Sequence, residues 1–386
     1  MEERKPRVVF TFVEAGMGHI VPATGISDAF EKKYGDKCEV IRSFIFKEDD
    51  NKELVDYQNA LIADTKKLAT SKIYSILEHY SAEIIGSKLT LKFLDHYFKP
   101  VIPVIEQKIK DLKPDLLFAS YYSPAHYALN LRARGELDCS VVTYIPDPIL
   151  YSAWDRRSDL FITNNSQAYK IARREAKNDV VEVPFVLRKE ANELSLDKFE
   201  MRDKLELPRD NFTILLCDGA YGQKKLKDYT EYLIKLDKKI TVISVCGKNE
   251  ELLDHFKKLD VNENVTFVPL GLVSNMLEYW VTADLFIGKG GSNCLGEALC
   301  FGVPTIVSAY ANTLEYCTSK FYIKKCKCGE LALKLSKFKK VINKILDNTE
   351  ILDKYRENSK IFQDNTGSEK AADAIYEHLK LKFKNL

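Results

Sequence analysis

The chain has 386 residues, 45% of them hydrophobic, 30% charged and 11% aromatic, with 17 glycines and 12 prolines. That composition excludes collagen-like, fibrous and disordered chains, and the length predicts two domains. Fifty-eight Lys and Arg against 56 Asp and Glu leave a net charge of +2, which argues against a dedicated nucleic-acid binder.

The N-terminus, M-E-E-R-K-P-R-V-V-F-T-F-V-E, holds an unbroken run of six uncharged residues before Glu14, too few for a signal-peptide core. No apolar run reaches the roughly 18–20 residues of a membrane span. The expected location is the cytosol, or the inner face of a membrane as a peripheral protein. Val8–Phe12 reads as a buried strand, Ala23–Tyr34 as a helix and Val40–Phe46 as a strand. Helical patterns follow through Lys52–Lys67, Ile73–Ile85, Leu89–Tyr97 and Val104–Leu112. Leu116–Ser120, Ser140–Ile145, Leu160–Thr163 and Val180–Val183 are again strand-like. Between Pro184 and Asp210 the periodicity gives way to charge, which marks a domain boundary. The pattern then restarts with strand Phe212–Cys217 and helix Lys224–Leu236, followed by strands Ile240–Val245, Val265–Val268, Leu285–Ile287 and Thr305–Val307. Short apolar runs alternating with amphipathic ones predict α/β architecture, with parallel sheets covered by helices and ligands at the carboxyl ends of the strands.

Nine cysteines, an odd number, sit partly inside apolar runs such as T-I-L-L-C and read as reduced thiols. Cys317, Cys326 and Cys328 lack a C-x-x-C pair or a His partner, so no metal site is predicted.

Four strands end in glycine turns that lead toward helices. The first, V-F-T-F-V-E-A-G-M-G-H-I, carries Gly16, Gly18 and His19. The second, L-L-C-D-G-A-Y-G, carries Gly219 and Gly222, and the third, I-S-V-C-G-K-N, carries Gly247. The fourth, A-D-L-F-I-G-K-G-G-S-N-C-L-G-E-A-L-C-F-G-V-P, is the most specific. A helix opening near Ser292 presents unpaired N–H groups and a partial positive charge at its first turn, and Gly290 and Gly291 let them close around a diphosphate. Glu297, one turn in, is placed to accept hydrogen bonds from ribose hydroxyls. No Walker-type loop, complete dinucleotide fingerprint, G-x-S-x-G elbow or Asp-x-Asp pair is present.

The order E-A-G-M-G-H, T-Y-I-P-D with Trp154 seven residues after the Asp, C-G-K-N, P-L-G and G-K-G-G-S-N-x-x-x-E-A-x-x-x-G-V-P resembles the GT-B glycosyltransferases. It is most similar to the group of monogalactosyldiacylglycerol synthase, the diacylglycerol glucosyltransferases and the peptidoglycan GlcNAc transferase. The resemblance spans roughly residues 7–320. It implies two Rossmann-like domains with parallel sheets facing a cleft. Residues 1–190 would bind the acceptor and 191–364 the nucleotide sugar, with 365–386 a final helix returning to the first domain. It also implies inversion at the anomeric carbon without metal or cofactor.

By that resemblance Gly16, Gly18 and His19 face sugar and acceptor, with Met17 in place of the family's middle glycine. Asp147 in I-P-D-P takes the place of the family's Thr-Asp and Trp154 that of its following tryptophan, and Leu272 pairs with uracil through its main chain. Gly290, Gly291 and Ser292 hold the diphosphate, Glu297 the ribose and Glu315 the donor sugar. Gly219, Gly222 and Gly247 line the same nucleotide site. His19 and Asp147 are the rival bases, and a histidine with a reference pKa of about 6.5 suits proton transfer near neutrality. The expected activity is transfer of a hexose from a nucleotide sugar, expected to be a UDP-sugar, to a lipid hydroxyl such as that of diacylglycerol. Alternatives are a polyprenyl-linked or soluble acceptor, an epimerase, or a non-catalytic nucleotide-sugar binder. The stretch I-I-G-S-K-L-T-L-K-F-L-D-H-Y-F-K-P-V-I-P-V-I and a lysine run from Lys320 to Lys344 are the candidate membrane contacts.

Overall fold

The structure, a computed structural model, describes residues 4–14, 17–47, 51–70, 87–219, 224–310 and 312–383. The expected helix at Ile73–Ile85 lies outside the described residues. The chain divides into two compact units. Met1–Lys189, Asn312–Leu314 and Asn365–Leu386 form the first, and Glu190–Ala311 with Glu315–Asp364 the second.

The first unit is built on strands β1 (Arg7–Phe12), β2 (Glu39–Phe44), β3 (Leu116–Ala119), β4 (Ser140–Ile145), β5 (Leu160–Thr163) and β6 (Asp179–Glu182). They form one parallel sheet in the order β2-β1-β3-β4-β5-β6. The inner strands read as unbroken apolar runs because both faces are covered, and every residue of β3 and β5 is buried. Thr11, the polar residue in β1, is satisfied by donating its hydroxyl to the Phe118 carbonyl at 2.8 Å.

Helix Met17–Tyr34 begins six residues before the expected Ala23 and runs through Pro22. Pro22 is the sixth residue of the helix and has no N–H to give to the Gly18 carbonyl, so the helix forgoes one backbone hydrogen bond there. Helix Tyr122–Ala133 was not predicted: it is buried on nearly all sides, from Ser123 to Leu131, so it shows no amphipathic period.

The closing helix, Gly367–Lys380, packs Ala371, Ala372, Ile375, Tyr376 and Leu379 into the same core as Val8, Phe10, Ile26 and Phe30. Tyr34 and Tyr376 stack at 3.9 Å, and the Tyr34 hydroxyl donates to Asp373 at 2.6 Å. Full burial of such side chains stabilises by about 1.5–3 kcal/mol each. Truncation after Asn365 is therefore expected to remove the cooperative unfolding of the first unit while leaving that of the second. Calorimetry of the truncated chain checks this, and an unchanged first transition refutes it.

The second unit holds β7 (Phe212–Cys217), β8 (Ile240–Val245), β9 (Val265–Leu270), β10 (Leu285–Lys289), β11 (Thr305–Ala309) and β12 (Gly329–Leu331). They form a second parallel sheet, ordered β12-β11-β10-β7-β8-β9. Its core gathers Ile214, Leu216, Val242, Ile287 and Ile306 with Phe338 and Ile342 of helix Leu335–Asp347. In both sheets the strand order reverses beside the first strand, so crossovers leave to both sides there and open a crevice at the carboxyl ends.

Candidate active site

In the first unit three neighbouring strand ends carry the candidate acceptor-side groups. His19 stands in the first turn of helix Met17–Tyr34, after β1. Its Nδ1 lies 2.7 Å from the carbonyl oxygen of Ser120, which follows β3, and the Ser120 hydroxyl donates back to the His19 carbonyl at 2.7 Å. The Tyr121 ring meets the imidazole edge-on at 4.8 Å. Burial pushes the His19 pKa down to about 4, against a smaller lift from the bond to Ser120. The ring is neutral at pH 7, so Nδ1 carries the proton donated to the carbonyl and Nε2 keeps its lone pair.

Asp147 is buried just beyond β4, and Trp154 packs in a cluster with Ile145 and Phe161. Arg156 donates to the Leu150, Tyr151 and Trp154 carbonyls and fixes that loop. A Cβ at Gly18 would meet nothing within 4 Å, so the turn is open there. Gly16 lies outside the described residues.

In the second unit the candidate donor-side residues all follow strand ends. Helix Ser292–Cys300 opens from Gly291, which has no side chain to cap the first turn. A helix N-terminus opened by glycine is of the kind that receives anions. Gly290 must lack a side chain, since a Cβ would lie 2.0 Å from the Ser319 Oγ. The Cys294 thiol interacts electrostatically with that of Cys217, which places this first turn beside the end of β7.

Lys289, which the sequence reading passed over, is at the centre. Its Nζ donates to Glu315 Oε1 at 2.6 Å, and its Cε would lie 2.8 Å from a Cβ on Gly219 and 3.6 Å from one on Gly291. Gly219 also has φ +79°, a conformation suited to glycine. Burial would depress the Lys289 pKa, but the Glu315 carboxylate outweighs it and pushes it up to about 12.

The structure thus brings Gly219, Gly291 and Glu315 together around one ammonium group. Gly247 and Leu272 follow β8 and β9, farther along the same sheet edge, and Leu272 is 66% exposed. Gly222 lies outside the described residues. Glu297 is buried, and its Oε2 accepts the indole N–H of the fully buried Trp280 at 2.9 Å.

Glu297→Ala would remove both the expected ribose acceptor and the partner of Trp280, whereas Glu297→Gln keeps an oxygen for Trp280. The Gln variant is therefore expected to retain the wild-type melting temperature and the Ala variant to lose about 1–3 kcal/mol of stability. Both are expected to bind nucleotide more weakly. Calorimetric affinity equal to wild type in the Gln variant would refute the ribose role. Among the described residues no group of three His, Cys, Asp or Glu side chains is arranged to hold a metal ion.

Two parallel α/β units with their candidate residues at the strand ends define a class: the fold is that of the GT-B glycosyltransferases. MurG of Acinetobacter baumannii is similar with a TM-score of 0.60, over 97% of this chain and 100% of that one, at 13% identity. More narrowly, residues 213–375 match the glycosyltransferase family 28 C-terminal domain. The chain is 27% identical over 204 residues to a Staphylococcus epidermidis processive diacylglycerol beta-glucosyltransferase, covering 50% of each. It is 24% identical over 329 residues to Arabidopsis thaliana monogalactosyldiacylglycerol synthase 2, chloroplastic, covering 80% of this chain and 67% of that protein. The match spans about half the length of the Staphylococcus relative.

Proposed function

We propose that the protein is an inverting transferase that moves a hexose from a UDP-sugar to the hydroxyl of a membrane lipid such as diacylglycerol. The observation that carries this reading is the glycine turn Gly290–Gly291, with the Lys289 ammonium between it and the Gly219 turn. In this reading the first-turn amides of helix Ser292–Cys300 and Lys289 hold the diphosphate and receive the charge it gains on leaving, a task that fixed dipoles and a cation perform well in a dry site. No metal ion is needed for that charge. The acceptor oxygen attacks the anomeric carbon, the bond to the diphosphate breaks, and His19 Nε2 takes the hydroxyl proton.

The lipid acceptor is supported by the two curated relatives named for diacylglycerol chemistry. It is also supported by helix Ser87–Tyr97, where Leu89 and Phe93 are 64% and 65% exposed one turn apart, beside exposed Lys88 and Lys92. A helix with such a face sits well at a headgroup boundary. Among the described residues no helix is long and apolar enough to cross a membrane.

The test is incubation of the protein with UDP-glucose, UDP-galactose and UDP-N-acetylglucosamine in vesicles containing diacylglycerol, with products read by mass. A hexosyl-diacylglycerol from one donor is the expected product. Nucleotide-sugar binding with no lipid product would overturn the acceptor assignment.

A further inference from the structure

Asp218 follows the last residue of β7 and is 4% exposed. Its Oδ1 is 3.4 Å from the Ser308 hydroxyl, while Oδ2 is buried with no hydrogen-bond partner among the described residues. A buried carboxylate oxygen left in that state costs free energy that folding alone does not explain. Register explains its company: Gly288 pairs with Cys217, so Lys289 and Asp218 are the next residues of two adjacent strands.

The charged and titratable groups around it come from every element packed there. Lys289 comes from β10 and Glu315 from helix Thr313–Ser319. Tyr229 comes from helix Lys224–Leu233, and the Cys217 and Cys294 thiols lie beside Lys289. Lys225 is turned to the Ser308 and Leu333 carbonyls. With Asp218 and Glu315 ionised, two carboxylates flank one ammonium. The pocket offered to a diphosphate then carries a surplus negative charge.

We propose that Asp218 takes up one proton from solvent when a nucleotide sugar binds, and that the resulting hydroxyl donates to a phosphate oxygen through Oδ2. This rests on the donor reading above and assigns that site a further binding residue. Burial already lifts the Asp218 pKa to about 6, with Glu315 adding to it and Lys289, Ser308 and the Leu226 amide opposing. The arriving diphosphate acts in the same direction as Glu315, because a like charge disfavours the ionised carboxyl. The proton enters with the donor and leaves with the nucleoside diphosphate, so the chemistry of transfer is unaltered.

The test is titration calorimetry of the full chain with UDP-glucose, UDP-galactose and UDP-N-acetylglucosamine, whose phosphate diesters do not titrate near neutrality. Phosphate and Tris buffers at pH 7 differ in ionisation enthalpy and so report the protons taken up. The expected result is an uptake approaching one proton, with affinity falling by up to about tenfold per pH unit above neutrality. Asp218→Asn is expected to abolish the buffer dependence and flatten the pH profile, while Glu315→Gln keeps a measurable uptake.

Wild-type binding with the same enthalpy in both buffers overturns the inference without any variant, so it does not depend on the variants folding. Undiminished uptake in Asp218→Asn, or its loss in Glu315→Gln alone, overturns it too. Absence of binding at every pH overturns the donor reading and takes this inference with it, whereas binding without uptake overturns only the role of Asp218.

Discussion

Replacing His19 by glutamine is expected to slow sugar transfer by about 10²–10⁴-fold while leaving nucleotide-sugar affinity unchanged, the signature of a lost general base. The Ser120 carbonyl 2.7 Å from Nδ1 fixes the neutral tautomer, and the Ser120 hydroxyl clasps the His19 backbone from the same residue. Nε2 is thereby left as the basic atom, on a ring held edge-on by Tyr121. The pKa of about 4 gives the sign of the pH effect. The base is in its working, unprotonated form above that value, so His19 produces no loss of rate between pH 8 and pH 6 and an acid limb only as pH approaches 4. Steady-state kcat and KM across pH, for wild type and His19→Gln, make the measurement. Asp147→Asn is the paired control: if that variant loses turnover and His19→Gln does not, the base is Asp147 and the role of His19 is refuted.

The parts legible in the sequence are those encoded by local pattern. β5, β7 and β8 match their expected limits residue for residue, because strands buried on both faces read as continuous apolar runs. The fourth glycine turn was legible because Gly290 answers a steric demand from Ser319, and only glycine meets it. Helix Tyr122–Ala133 was missed because it lacks a polar face, and the three-residue edge strand β12 is too short to show a period.

The polar partners were illegible for a different reason. Lys289 and Asp218 acquire their meaning from the register of β10 against β7, and Ser120 acquires its own from β3 lying beside β1. The bond from Trp280 to Glu297 likewise joins two helices, Met276–Thr282 and Ser292–Cys300, that touch directly through these side chains. Such contacts are products of topology. The signal present in the sequence was a lysine held between glycines in G-K-G-G, an isolated cation where the backbone is barest.

Lys289 is where that missed information has its largest expected consequence. Lys289→Met is expected to weaken nucleotide-sugar binding by about 10²-fold, since it deletes the cation beside Gly291 and leaves the helix amides alone to face the diphosphate. It also strips Glu315 of its partner at 2.6 Å, and breaking a largely buried pair from one side costs about 3 kcal/mol. The two effects separate in the double variant Lys289→Met, Glu315→Gln. Neutralising both partners is expected to restore the melting temperature, because no unpaired charge remains, yet not the affinity. Full recovery of affinity in the double variant would mean that Lys289 serves only to neutralise Glu315. Lys289→Arg is no conservative substitute, since the wider guanidinium must fit where the lysine Cε already lies 2.8 Å from the Cβ position of Gly219. Removing the ammonium also removes a group that holds the Asp218 pKa down. Asp218 in Lys289→Met is then protonated to higher pH before any ligand arrives, so the weakened binding of that variant should depend less on pH near neutrality than that of wild type.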